Sequence, residues 1–151
     1  MKRKIIPGVI DGKQLLCCLG LEDTAQAAAA TMRERGIGAV LVTEGGRLVG
    51  IVTERDLVFR VLAGGRDPAS ATLREVMTPD PETLRPDDSA FDALEKMRLG
   101  KYRHLPVVEG DELRGMVSIR DLYEWIRRTL EEDLHSAQTL IYGEQYGAAS
   151  A

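Results

Sequence analysis

The sequence predicts an α+β fold made of two successive copies of one strand-helix-strand-strand-helix unit, followed by a long C-terminal helix. Three observations carry this. An offset of 65 residues superposes the chain on itself without a gap, with 15 identities in the 39 positions from Leu19/Leu84 to Leu57/Leu122, which marks a duplicated unit. Each copy sets apolar residues at helical spacing ahead of two short apolar runs separated by a turn. A single apolar stripe, Ile126, Leu130, Leu134, Ala137 and Ile141, then continues past the end of the second copy.

Within each unit a short strand is expected first, near Leu15 to Leu19 and Glu82 to Leu84. A helix opens at Asp23-Thr24 and at Asp88-Ser89, residue types whose side chains accept from free backbone N–H groups. Its core face is Ala25, Ala28, Ala29 and Met32 in the first copy and Ala90, Ala93, Leu94 and Met97 in the second. The runs Ala39 to Val42 and Leu48 to Val52 flank a turn at Glu44-Gly45-Gly46, and His104 to Val108 and Leu113 to Val117 flank Glu109-Gly110-Asp111, so each copy holds a hairpin. A second helix follows from Thr53 and from Ser118. Between the copies, Ala63 to Ser70 is rich in breakers, and Thr72-Leu73-Arg74-Glu75 has the capping-box form for a short helix that stops before Pro79. The expected organisation is a first motif at 7–63, a linker at 64–72, a second motif at 73–130, a helical extension at 131–142 and a disordered tail at 143–151.

Composition excludes several function classes. The 151 residues carry a net charge of -4, and no basic face is clustered for broad phosphate contact, so no nucleic-acid partner is expected. Two Phe and one Trp make no stacking platform for successive bases. No apolar run reaches the length of a membrane span or a secretory signal, so the expectation is a cytoplasmic protein without a membrane partner. The adjacent Cys17 and Cys18 cannot close a loop and should lie in a strand with side chains on opposite faces, one in the core. With His104 and His135 as the only histidines, no spaced ligand set for zinc exists. No Ser or Cys is spaced with a base for nucleophilic catalysis, so neither catalytic nor metal-binding residues are assigned.

The informative segments are Gly50-Ile51-Val52-Thr53-Glu54-Arg55-Asp56 and Gly115-Met116-Val117-Ser118-Ile119-Arg120-Asp121. Both sit where a strand becomes a helix, and unpaired N–H groups at a helix start suit a phosphate. The hydroxyls of Thr53 and Ser118 can bond ribose or phosphate oxygens, the carboxylates of Asp56 and Asp121 can accept from both ribose hydroxyls, and Arg55 and Arg120 offer phosphate donors. The plain alternative is a capping box, in which the acidic side chain merely reaches back to the cap N–H. Capping alone requires neither the repeated Arg nor the preceding Gly, so two matching copies favour a site.

This order, with Arg103-His104-Leu105-Pro106-Val107 before the second segment, Val76-Met77-Thr78-Pro79 before the second unit and Arg85-Pro86-Asp87-Asp88-Ser89 at its first helix, resembles the CBS motif pair, also called a Bateman module. The resemblance covers roughly Leu15 to Arg128 and extends to small stand-alone bacterial CBS proteins of the hypoxic response type. It implies two units packed through their sheets about a pseudo-twofold axis, with a cleft beside each helix start. Such clefts bind AMP, ADP, ATP, S-adenosylmethionine or NAD as regulatory ligands rather than required cofactors. The resemblance implies ribose contacts at Asp56 and Asp121, ribose or phosphate contacts at Thr53 and Ser118, phosphate contacts at Arg55 and Arg120, and base-edge contacts from the backbone near Gly38-Ala39 and Arg103-His104.

The first unit departs from the family pattern, with Leu41 where the second has Pro106 and Gly38-Ala39 where it has Arg103-His104. The two sites should therefore differ, with Lys101, Arg103, His104 and Arg120 favouring a polyphosphate at the second motif and the small residues of the first leaving room for a base. The leading expectation is a non-enzymatic, signal-transducing sensor of an adenosine-containing ligand, homodimeric and acting in trans on an effector protein. A ligand-free interaction module working through the last helix is the alternative, and a redox or metal responder using Cys17 or Cys18 is the third.

Overall fold

The computed structural model describes residues 3–148, with side chains through Tyr142. The elements follow the repeat. The first unit holds β1 (Cys18–Leu19), α1 (Ala25–Arg35), β2 (Ala39–Glu44), β3 (Arg47–Thr53) and α2 (Glu54–Asp56), which continues in wider π winding over Leu57–Leu62. The connection holds α3 (Leu73–Val76) and β4 (Thr78–Pro79), and the second unit holds α4 (Ala90–Gly100), β5 (His104–Glu109), β6 (Glu112–Ser118) and α5 (Ile119–Ala148). Thus six residues of the segment expected as a disordered tail are helical backbone, and 149–151 lie outside the described residues. The sequence predicted the second helix of the first unit but not its π winding.

One sheet has the order β1-β2-β3-β4, and β5-β6 form a second hairpin. Equivalent residues make equivalent bonds. Leu19 pairs in parallel with Val42, and Leu84 pairs in parallel with Val107. The second pairing is a single bridge where the first is a two-residue strand, and the sequence difference at this point gives the reason. Leu41 donates its N–H to the Cys17 carbonyl at 3.0 Å, whereas the equivalent Pro106 has no N–H to donate.

Capping also repeats. Thr24 Oγ1 accepts from Ala27 N–H at 3.1 Å, and Ser89 Oγ accepts from Asp92 N–H at 3.1 Å. Both helices end on a left-handed residue, Gly36 at φ 61° and Lys101 at φ 58°, whose N–H bonds back to Met32 and Met97 respectively. At Thr72 the backbone N–H donates to Glu75 Oε2 at 3.1 Å, opening the short α3.

Among the described residues three apolar clusters hold the molecule, and each joins residues of both expected motifs. Leu73 and Val76 of α3, with Ala71, pack among Ala25, Ala28, Met32, Val40 and Val52 of the first unit. Ile5, Val9 and Ile10 pack among Leu84, Ala93, Met97, Leu105 and Leu122 of the second. The exchange is symmetric down to its hydrogen bonds: Leu73 N–H donates to Asp23 O at 2.8 Å, and Ile5 N–H donates to Asp88 O at 2.8 Å. Each unit is thus closed by the segment preceding the other in the chain. The third cluster, Ala39, Leu41 and Ile51 with Leu16, Leu48, Leu113 and Met116, joins the two hairpins.

Candidate functional site

Both helix starts form the same closed ring of hydrogen bonds. Thr53 N–H donates to Asp56 Oδ2 at 2.9 Å while Asp56 N–H donates to Thr53 Oγ1 at 3.2 Å. Ser118 N–H donates to Asp121 Oδ2 at 2.8 Å while Asp121 N–H donates to Ser118 Oγ at 3.1 Å. The capping-box alternative is therefore present at both junctions. It does not exhaust a carboxylate, which has a second oxygen and about four acceptor sites. The first helical N–H of each start is also engaged: Glu54 donates to Gly38 O at 3.0 Å and Ile119 to Arg103 O at 2.8 Å. These bonds bring the backbone of Gly38 and Arg103 beside Thr53 and Ser118.

The repeated glycines have a packing reason of their own. A methyl at Gly50 would meet the side chain of Met77 and stand 3.1 Å from the carbonyl of Thr78; one at Gly115 would stand 2.7 Å from Ile10 Cδ1 and 2.9 Å from Gln14 Oε1. Glycine here lets the crossing segment lie against the strand. In the first unit that segment is β4, which pairs Thr78 and Pro79 with Ile51 and Gly50. In the second, the Gln14 amide replaces a strand: Met116 N–H donates to Gln14 Oε1 at 2.9 Å, and Gln14 Nε2 donates to Met116 O at 3.1 Å.

The two junctions differ in ways the sequence comparison did not find. Arg60 Nη2 lies 3.7 Å from Asp56 Oδ1, and its Nη1 donates to the carbonyls of Val76 at 3.0 Å and Met77 at 2.6 Å. Arg60 thus ties the first carboxylate to the connection between the units. The equivalent residue beside Asp121 is Trp125, buried against Phe91 in an edge-to-face contact at 6.3 Å and unable to pair with a carboxylate oxygen in this way. An Arg four residues after a motif Asp is the signal that marks Arg60 in the sequence.

His104 reaches from the second unit to the first. A methyl at Gly38 would be 3.4 Å from His104 Cε1 and 3.5 Å from Glu54 Cδ, so the imidazole and the Glu54 carboxylate both face Gly38. Burial lowers the His104 pKa from its ordinary 6.5, against the opposing pull of Glu54 and Asp121 and with a smaller push from Arg103. Ala39 is fully buried in the joint between the hairpins. Of the cations, Arg55 lies over the Phe59 ring at 4.9 Å, and Lys101, Arg103 and Arg120 are exposed, Arg103 with its carbonyl bonded to Ile119 N–H and Arg120 next to Asp121 in the chain. The residues expected at the second site thus stand on neighbouring elements: His104 starts β5, Ser118 ends β6 and Asp121 opens α5.

A groove of about 750 Å³ lies at the turn end of the hairpins, lined by Leu16, Cys18, Arg47, Asp111 and Leu113 among others. Arg47 bridges its two sides with a 2.7 Å ion pair to Asp111. None of the ten expected ligand residues lines it. Cys17 is buried and Cys18 exposed, so the two side chains part as expected, but only Cys18 lies in a strand, because β1 begins there and Cys17 precedes it. Partial burial, then the neighbouring Cys17, raise the Cys18 thiol above its ordinary pKa, which works against thiolate chemistry. Among the described residues no group of three or more His, Cys, Asp or Glu is placed to hold a metal ion, and no helix is long and apolar enough to cross a membrane.

The CBS domain family model matches residues 3–63 and 73–128. The meiotically up-regulated gene 70 protein of Schizosaccharomyces pombe is 38% identical over 129 residues, which are 85% of this chain and 18% of that protein, so this chain spans under a fifth of that relative's length. Hypoxic Response Protein I, solved with two coordinated zinc ions, is similar at 33% identity and TM-score 0.65 over 73% of this chain and 90% of the other. A CBS domain protein of Pyrobaculum aerophilum complexed with AMP is similar at 29% identity and TM-score 0.66 over 72% and 84% of the two chains. With both motifs matched and the duplicated strand-to-helix junction in place, the chain belongs to the CBS domain family as a tandem CBS pair, the regulatory module its sequence resembles.

Proposed function

We propose that this CBS pair is a non-enzymatic sensor in the cytoplasm whose regulatory ligand is an adenosine-containing molecule, AMP, ADP or ATP first and S-adenosylmethionine or NAD next. The observation that carries the reading is the junction around Asp121. Its carboxylate is held in position by Ser118 and has no counterpart of Arg60 beside it. His104 interacts with it, and the exposed Arg120 and Arg103 flank the junction in the chain and through the Arg103 carbonyl bond to Ile119. A ribose can take the remaining acceptor sites of Asp121, and phosphates the surrounding cations. At the first junction Arg60 stands 3.7 Å from Asp56 Oδ1 and competes with a ribose for that oxygen, so the second motif is the stronger site. The AMP complex of the Pyrobaculum aerophilum relative supports the ligand class. Ligand-dependent change in the angle between the two units, in a homodimer, would then alter contact with an effector protein.

A ligand-free interaction module is the second reading, favoured by one observation: both carboxylates already serve as caps. Thermal melting of nucleotide-stripped protein against AMP, ADP, ATP, S-adenosylmethionine and NAD separates the two, because a ligand bound to the native state raises stability. A shift with one of them that disappears in Asp121→Ala and survives in part in Asp56→Ala is the expected result. No shift with any of the five overturns the sensor reading in favour of the interaction module.

A further inference from the structure

From residue 130 to residue 142 every side chain of α5 is exposed, including Leu130 at 63%, Leu134 at 60% and Ile141 at 58%. Beyond an exposed ion pair from Arg3 to Glu132 at 2.9 Å, worth little in solvent, the overhang gains no apolar packing from its own domain, and an isolated helical stretch of this length is marginal in water. The apolar residues along it are not scattered. Ile119, Tyr123, Ile126, Leu130, Leu134, Ala137 and Ile141 follow one another at spacings of 4, 3, 4, 4, 3 and 4. The group Tyr123, Ile126, Leu130 recurs 11 residues later as Leu134, Ala137, Ile141, a period of roughly 3.67 residues per turn that keeps the stripe straight along the helix. It runs about a third of a turn round from Leu122 and Trp125, which face the core, and touches that core only at its edge, where Ile126 is partly buried against it.

The spacing is a palindrome centred on Leu130. A second α5 laid antiparallel, with Leu130 against Leu130, brings every stripe residue onto a stripe residue: Ile119 on Ile141, Tyr123 on Ala137 and Ile126 on Leu134. The polar flank agrees. Arg120, Arg127, Glu131 and Gln138 border one side of the stripe, and a twofold axis perpendicular to antiparallel helices sets this flank against its own copy. Arg127 then faces the partner's Glu131 with an axial offset of about 3 Å, and the same pair forms again across the axis. Within one chain Arg127 already pairs with Glu131 at 2.7 Å and with Glu124, so the two charges share one side of the helix.

We infer that the occupant of this face is the α5 helix of a second copy of the chain, paired antiparallel about Leu130 over a seam of roughly 33 Å. The inference rests on the homodimer named above and assigns it a surface and a direction. Sedimentation velocity of the full chain over a concentration series, at low ionic strength, tests it. Wild type should be a dimer, and Leu130→Glu/Leu134→Glu should raise its dissociation constant on the order of a hundredfold or more. Its circular dichroism and thermal transition should show an intact fold, since both side chains are exposed.

Arg127→Glu and Glu131→Arg should each weaken the dimer about tenfold, by placing like charges across the seam. Mixing the two variants in equal amounts should restore wild-type association, because each then offers the complement of the other. Loss of helix stability within a chain cannot be rescued by mixing. A monomeric wild type would overturn both this inference and the homodimer. A dimer indifferent to Leu130→Glu/Leu134→Glu would overturn the seam while leaving the homodimer standing, and charge variants that stay weak when mixed would overturn the antiparallel direction.

Discussion

The repeat supplies a reciprocal test of backbone strain at the ends of α1 and α4. Gly36 and Lys101 occupy equivalent left-handed positions, at φ 61° and 58°. A residue with a Cβ costs about 1–2 kcal/mol in this conformation, and nothing lies within 4 Å of a methyl built on Gly36, so no clash adds to that cost. Glycine returns about 0.4–1 kcal/mol through the greater freedom of its unfolded chain. The difference leaves Lys101→Gly stabilising by about 0.5–1 kcal/mol and Gly36→Ala destabilising by a similar amount. For a chain of this size that is about 1–4 °C in opposite directions, measurable by scanning calorimetry with urea denaturation as a second readout. If Lys101→Gly lowers stability, or the two variants shift Tm in the same direction, backbone strain does not govern these caps. Lys101 also stands among the cations of the second motif. If it has been retained for phosphate, Lys101→Gly should weaken ATP binding while raising Tm, the trade-off expected where strain is kept for function.

Two further outcomes follow from the site. Arg60→Ala should cost about 1–2 kcal/mol in urea denaturation, because the carbonyls of Val76 and Met77 lose a charged donor; its exposed pairing with Asp56 adds little. An unchanged midpoint would show that α2 and the connection are held by apolar packing alone. Because burial lowers the folded-state pKa of His104 below its ordinary 6.5, the unfolded chain binds the proton more readily. The stability contributed by neutral His104 is complete above about pH 6.5 and is lost as pH falls through the lowered folded value. The Tm difference between wild type and His104→Gln should therefore narrow or reverse as pH is taken from 7.5 to 5. A constant difference across that range would remove His104 from the acid response.

The segments around Thr53 and Ser118 illustrate how far local pattern reaches. Their residues predicted a strand-to-helix junction, and each junction forms with Asp56 and Asp121 turned back onto the cap. What the pattern could not separate was a cap from a ligand site, since the same carboxylate satisfies both. The glycine offered as evidence for a site has another cause, because Met77 lies over Gly50 and Ile10 and Gln14 over Gly115. Arg60 and Glu54 escaped notice because their partners, the carbonyls of the connection and the Gly38–His104 contact, come from elements 16 to 50 residues away.

The sequence by itself determined the duplication, the order of elements, the caps at Thr24 and Ser89 and the two hairpins, all of which depend on side chains within a few residues of one another. Only the tertiary structure decided that Leu73 closes the first unit and Ile5 the second. It also decided that the Gln14 amide stands in for a strand beside Met116, and that His104 of one unit faces Gly38 and Glu54 of the other. These pairings join residues far apart in the chain. Helical and strand periods record which face of an element is apolar, and the choice of which distant apolar face covers it is made by shape and packing when the units close on each other.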